Sequence, residues 1–594
     1  MPDEINKIMR HKSTQLKMLI ASLENAPYHK IQSLRGRFQF PHYTFQFLRI
    51  QGSPGANPAS IANLSIPIKA SGLPEQSLAT SFAQLALADF LIRRFNQGIV
   101  KFVQQNRGKD GSGSFHTIEL SQKMLQRDCV LFSKNSIELR FIFSLPANGS
   151  GGRQFDAKQT WLMFEQELSP LVDFTFFYHG YSEASQNLLN KFLAVQKNRQ
   201  AIKHYMKKNG LCVFISNGAL LPRLSGIDDK PDLAEKIEKF QSPKTLLVEI
   251  PLHENSTIKG MGIKQGITCI TGGGYHGKST LLQAILAGVY AHIPGDGREY
   301  IVTRDDAVFT RAEEGRSIRQ VNISPFIRQL PNGKKTENFS TDNASGSTSQ
   351  AASIVEAIEL QSHLLLFDED SCATNFLYRD ELIKKILDKK NEPIKPLYTC
   401  IRSLWKQHKI SMIFVVGGLG SFLQKADTCL LMDNYQCKDI TGKARKSLGE
   451  IIEEDQDHLI FSSNRPLSSQ NFDPSYTNQR LKKTIPIRIK DLRNAPRQLE
   501  YGMDLINLEA LPQIAEAPQM RSIGYCLLTI KQQMCDNSNK PQTIYDWLQW
   551  LTKKLDQEGL PCLQTTYPGL SSRPRLYEIA AAINRIRSLR IIQK

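Results

Sequence analysis

The run GGGYHGKST, from Gly272 to Thr280, constrains this chain more than any other feature. It follows the apolar stretch Ile267 to Ile270, which reads as a buried strand, and leads into Ser279 to Tyr290, which reads as a helix. A glycine-rich turn between strand and helix lets successive backbone N–H groups curve around phosphate oxygens, and the helix start adds its partial positive charge. The spacing GxxxxGK[ST] therefore predicts a nucleoside triphosphate site built from Gly272, Gly273, Gly274, Tyr275, His276, Gly277, Lys278, Ser279 and Thr280. Lys278 is placed to reach the β- and γ-phosphates as a catalytic cation, and Ser279 to ligate magnesium. His276 fills a variable position and reads as loop packing or a phosphate hydrogen bond.

Two later patterns extend this site. HLLLFDED reads as a buried strand with Asp368 and Glu369 at its polar tip, where Asp368 can hold magnesium and Glu369 can polarise an attacking water. NASGSTSQAASIVEAIE places Ser345, Gly346, Ser347 and Thr348 before a helix starting near Gln350, a second anion-accepting helix start. An ordinary capped helix would carry the same serines, and an acidic strand end can be merely solvated. Their order after the phosphate loop favours the catalytic reading.

Short β runs at Leu246 to Ile250, Ile267 to Ile270, His363 to Phe367 and Met412 to Val416 alternate with helical segments, the pattern of an α/β unit with a largely parallel sheet. The predicted organisation is an α+β segment over 1–165, the α/β core over 166–462 and a basic, helix-rich segment over 463–594. The formal net charge of +18 favours polyanionic partners. It concentrates at Arg480, Lys482, Lys483, Arg488, Lys490, Arg493 and Arg497, a candidate nucleic-acid contact in which charge alone does not separate RNA from DNA. The later run NRIRSLRIIQK reads as a packed terminal helix with a basic edge. No apolar run approaches the roughly 20 residues of a spanning helix, so no membrane insertion is expected. MPDEINKIMRHK has no signal core, and the ten cysteines form no CxxC pair, which together predict a reducing, cytoplasmic setting.

The order of phosphate loop, signature loop and Asp-Glu strand is that of an ABC-type ATPase. More narrowly, GGGYHGKSTLL, GVYAHIPGDGREYIVT, RAEEGR, ISPFI, ASGSTSQAA, FDEDSCATNF and VVGGLG resemble the predicted ATPases of the ABC class, a family that includes a trypanosome mitochondrial RNA-editing factor. QGSPGANP, ADFLIRRF, NGALLPR and DLRNAPRQLEYGM carry the resemblance across most of the chain. It implies a P-loop NTPase of ABC type with an N-terminal α+β domain and a C-terminal domain, Mg-ATP as ligand, RNA as partner and a homodimer. In the dimer, the signature loop of one copy completes the site of the other. Two departures stand out. The signature reads Ala344 to Thr348 where transporters have LSGGQ, and Gly417, Gly418, Leu419 and Gly420 follow Val416 where a switch histidine is usual. The second points to slow hydrolysis. Gln320 and Gln329 are candidates for the glutamine loop, and Asp370 to Asn375 for nucleotide sensing. Alternatives are a nucleotide-gated interaction protein, a transporter's ATP-hydrolysing subunit and a kinase.

Overall fold

The computed structural model describes residues 10–592 except 106, 109–110, 150–152, 227, 235–236, 254–255, 329, 331–332, 381–382, 384–391, 453–458, 462–464, 469–496, 503 and 537–541. The chain divides into two compact units, Met1–Lys197 with Glu558–Arg573, and Asn198–Gln557 with Pro574–Lys594.

The first unit is built on a mostly antiparallel sheet whose strands follow the sequence alternation. In Ser136–Ser144 the residues Ile137, Leu139, Phe141 and Phe143 turn inward while Glu138 and Arg140 stay partly exposed. That strand pairs with Ile61–Pro67, Ser114–His116 and Val130–Phe132. The helix Ser81–Phe102 starts on a side-chain cap, where Thr80 Oγ1 accepts the Ala83 N–H at 3.3 Å. It packs on the helix Ser169–Phe176 at Gly98, where a Cβ would sit 2.4 Å from Leu171 Cδ1.

The second unit carries the phosphate loop. Its main sheet contains β1 (Ile267–Gly272), β2 (Ala307–Phe309), β3 (Leu364–Asp368), β4 (Ser411–Val415), β5 (Thr428–Asp433) and β6 (Gln436–Asp439), in the spatial order β2-β3-β4-β1-β5-β6. All pairs are parallel except the β5–β6 hairpin. LLLF in β3 and SMIFV in β4 are buried on both faces, as parallel strands covered by helices require. Phe367 and Phe414 stack across them at 4.6 Å. Helix α1 (Lys278–Ala287) follows β1, and α2 (Gly346–Glu359) precedes β3. A second, antiparallel sheet orders Leu247–Pro251, Thr257–Lys264, Leu211–Ser216 and Ile301–Thr303.

The C-terminal part of this unit adds the hairpin Gln498–Tyr501/Asp504–Asn507 and the helices Pro518–Asp536, Ile544–Glu558 and Leu576–Asn584. The terminal helix stops at Asn584, before the basic run expected to be helical. Side-chain and backbone contacts replace the helix there. Arg585 pairs with Glu313, Arg587 donates to the Asp342 carbonyl at 2.8 Å, and Ile586 and Leu589 are buried. Arg465 likewise ties α2 to this segment, donating to Glu359 and, at 2.9 Å, to Asn584 Oδ1. Among the described residues, no helix is long and apolar enough to cross a membrane.

Phe414 is 1% exposed and touches Phe367 and Phe422. Phe414→Ala is expected to destabilise the second unit by about 3–5 kcal/mol, read as a lowered urea midpoint.

Candidate nucleotide site

Parallel register delivers the site. Asp368 lies opposite Val415 across β3 and β4, and Ile270 opposite Val415 across β1 and β4, so three strands end together. Their tips share with the phosphate loop a cavity of about 710 Å³, lined by Gly272 to Tyr275, Gly277 to Thr280, Asp368 to Asp370, Val415, Gly417 and Tyr435.

The loop is shaped by two glycines that no other residue could replace cheaply. Gly272 has φ +146°, and a Cβ there would lie 2.2 Å from the Met432 carbonyl oxygen of β5. Gly277, at φ +94°, is the N-cap from which α1 starts. Lys278 Nζ donates to the Gly272 and Gly273 carbonyls at 2.8 and 2.7 Å. His276 packs the loop onto the β5–β6 turn: its Nδ1 accepts the Asn434 N–H at 3.0 Å, and its carbonyl accepts the Tyr435 N–H. Tyr275, at φ +63°, is almost wholly exposed, and Tyr435 is half exposed.

Asp368 and Glu369 are held differently. Burial raises the Asp368 carboxyl above the usual carboxylate range, aided by the neighbouring charges of Asp370 and Glu369 and opposed by the Asp370 N–H and by Lys278. Glu369 Oε2 accepts the backbone N–H groups of Gly417 at 2.6 Å and Gly418 at 3.1 Å. The residues present fit a magnesium nucleotide. Mg²⁺ is usually held by one or two side-chain oxygens plus substrate phosphates rather than by an all-protein cage. Ser279 and Asp368 line one cavity beside a helix start, and the described residues contain no cluster of three or more metal-ligating His, Cys, Asp or Glu.

The signature residues do not line this cavity. Ser345 is the N-cap of α2, its Oγ accepting the Thr348 N–H at 3.4 Å, while Gly346, Ser347 and Thr348 are buried. Side chains join this loop to the segment after the acidic pair. Ser347 Oγ donates to Asn375 Oδ1 at 2.8 Å, and Gln350 Oε1 accepts the Ala373 N–H at 2.9 Å. Gln320 sits in the strand Ile318–Val321, away from the lining residues, and Gln329 lies outside the described residues. The segment that leaves the sheet beside β3 is instead Thr310–Ala312: Thr310 N donates to Leu366 O and Ala312 N to Ser371 O, with a buried Arg311 Nε between them.

Arg480, Lys482, Lys483, Arg488, Lys490 and Arg493 lie outside the described residues. Arg497 is partly buried, donates to the Ile514 carbonyl at 3.3 Å, and is pushed below its ordinary range by that burial, with Glu509 opposing. The residues sequence reasoning missed are Tyr435 and the two glycine donors. Asn434 and Tyr435 both have positive φ, a hairpin turn that Asn foreshadows, but which loop the turn would meet is not written locally.

Residues 185–464 match a family model described as the ABC ATPase P-loop domain, and 13–179 one described as the N-terminal domain of ATPases of the ABC class. Residues 493–592 match the MRB1590 C-terminal domain. Uncharacterized protein MJ1628 of Methanocaldococcus jannaschii is 34% identical over 222 residues, covering 36% of this chain and 48% of its own length. The chain thus spans about half the length of the curated relative it matches. A solved structure described as an inward-facing conformation of a metal-chelate type ABC transporter aligns with 39% of this chain and 82% of its own, at 16% identity and a TM-score of 0.23.

Fold and site together define a nucleotide-binding P-loop protein of ABC type, with an N-terminal α+β part and a helix-rich C-terminal part. The chain belongs to the ABC-class ATPase family and carries an MRB1590-type C-terminal domain.

Gly272→Ala must displace either the loop or β5. Its affinity for a fluorescent ATP analogue is expected to fall about tenfold or more.

Proposed function

We propose that this protein binds Mg-ATP, hydrolyses it slowly, and couples opening and closing of a homodimer to RNA binding. The observation that carries the reading is the shared cavity, which places Lys278, Ser279, Asp368 and Glu369 on one nucleotide-sized space. The phosphate-loop amides and the start of α1 orient the phosphates. Lys278 exchanges its loop carbonyls for phosphate oxygens and neutralises charge that grows on the γ-phosphoryl group. Ser279 and Asp368 would hold magnesium, which when bound draws charge from the β- and γ-phosphate oxygens. Glu369 takes the proton of the attacking water.

The dimer reading is supported by the signature loop, which faces its own post-acidic segment and not its own cavity. A second copy would bring Ser345 and Gly346 to the γ-phosphate, with Ser347 and Thr348 behind them. The RNA reading is supported by the family resemblance and the net charge of +18. The basic run from Arg480 to Arg497 is the proposed contact, within a C-terminal domain over 463–594 that follows the core over 166–462 and the N-terminal domain over 1–165. We place the protein in the cytoplasm. A nucleotide-gated interaction protein with incidental turnover is the second reading, favoured by glycines where a switch histidine is usual.

Glu369→Gln is expected to keep ATP affinity, to lose turnover about 10²- to 10⁴-fold, and to accumulate an ATP-bound dimer on size-exclusion chromatography. Wild-type turnover indistinguishable from that variant would leave the gated-interaction reading in place.

ATP hydrolysis measured with single-stranded RNA, duplex RNA and DNA at two salt concentrations tests the partner. RNA is expected to change turnover and to bind more weakly as salt rises, with a log–log slope of about −0.7 per phosphate contact on a single strand. Absence of nucleic-acid binding at the lower salt would sink the assignment.

A further inference from the structure

Where β4 ends, the sheet stops using its backbone donors. Val416 N makes the last ladder bond, to Ile270 O at 2.9 Å, and the next two N–H groups, of Gly417 and Gly418, turn onto Glu369. Both reach the same oxygen, Oε2. Among the described residues, Oε1 takes no hydrogen bond. Gly418 stands beside Oε1, where a Cβ would lie 3.5 Å from it.

We propose that the Gly417 and Gly418 amides are a positioning clamp for Glu369, assigning Oε2 to the backbone and Oε1 to the proton of the attacking water. This rests on the reading of Glu369 as the general base. Bonds from fixed backbone donors to a carboxylate are charge-assisted, and two donors on one oxygen fix both its position and the plane of the group. In the step they serve, the water oxygen bonds to the γ-phosphorus and its proton passes to Oε1. The bond from the γ-phosphorus to the bridging oxygen breaks, and the electron pair leaves on ADP. Gly417 lines the cavity, and both glycines act through Glu369. A backbone clamp needs no side chain, so it is compatible with glycines at a place where a histidine is usual.

The test has two readouts on the full chain. In nucleotide-free protein with glycine-selective ¹⁵N labelling, the Gly417 amide proton is expected downfield of ordinary glycine amides and to move upfield in Glu369→Ala. In kinetics, Gly417→Pro removes the 2.6 Å donor, whereas Gly417→Ala keeps it. The proline variant is expected to turn over about 10- to 100-fold more slowly than the alanine variant, with equal KM for ATP. Should Gly417→Pro not melt cooperatively, Gly418→Pro, which removes the 3.1 Å donor, takes its place. Equal turnover of the proline and alanine variants, a parallel loss of ATP affinity, or glycine resonances unmoved in Glu369→Ala would each overturn the clamp. Full activity of Glu369→Gln would instead overturn the base assignment, with the resonance shift still reporting the clamp.

Discussion

The hydrogen-bonded register of β1 between β4 and β5 is the constraint on which the site depends. Pairing Thr268 to Ile270 with Ile413 to Val415 on one side and with Thr428 to Leu430 on the other fixes where three loops begin. Ile267, Thr268, Cys269 and Ile270 are all buried, so β1 packs on both faces, and a slip of one residue would exchange Ile267 and Cys269 with Thr268 and Ile270 between them. The Asp427 carboxylate, accepting the Ile267 N–H at 2.8 Å, pins the start of the strand. From this register follow the placement of Asp368 and the crossing of Gly272 against Met432.

Charge at the strand tips is unevenly compensated. Asp368 and Glu369 are adjacent carboxylates, yet one is raised by burial beside acidic neighbours and the other is held by two backbone donors. The environments divide the pair into an oxygen ligand suited to a cation and an acceptor fixed in direction. The same short segment reaches α2 through Asn375 and Ala373, so the acidic tip and the signature helix are joined by side-chain hydrogen bonds within a few residues.

Sequence reasoning located the elements that depend on local chemistry. Gly272 to Thr280 and the apolar strand ending at Asp368 follow from spacing and burial, whereas the helix expected near Gln350 starts earlier, at Gly346, because Ser345 caps it. It failed where distant segments decide. The Ile586 and Leu589 stripe suggested a longer terminal helix, but Glu313 and Asp342 capture Arg585 and Arg587 and end it. Residue type alone likewise does not show which segment the sheet edge brings beside the end of β3, where Thr310 to Ala312 lie. The Glu369 clamp uses main-chain donors, which no side-chain pattern announces.

Lys278 spans its own loop, bonded to the carbonyls of the two residues that open it. The loop is thereby cross-braced from within, its curvature set by its own ammonium and by Gly272. On the proposed reading, an arriving triphosphate would trade partners with the brace instead of ordering a slack segment. Capture then draws little on the conformational entropy that a floppy loop would lose.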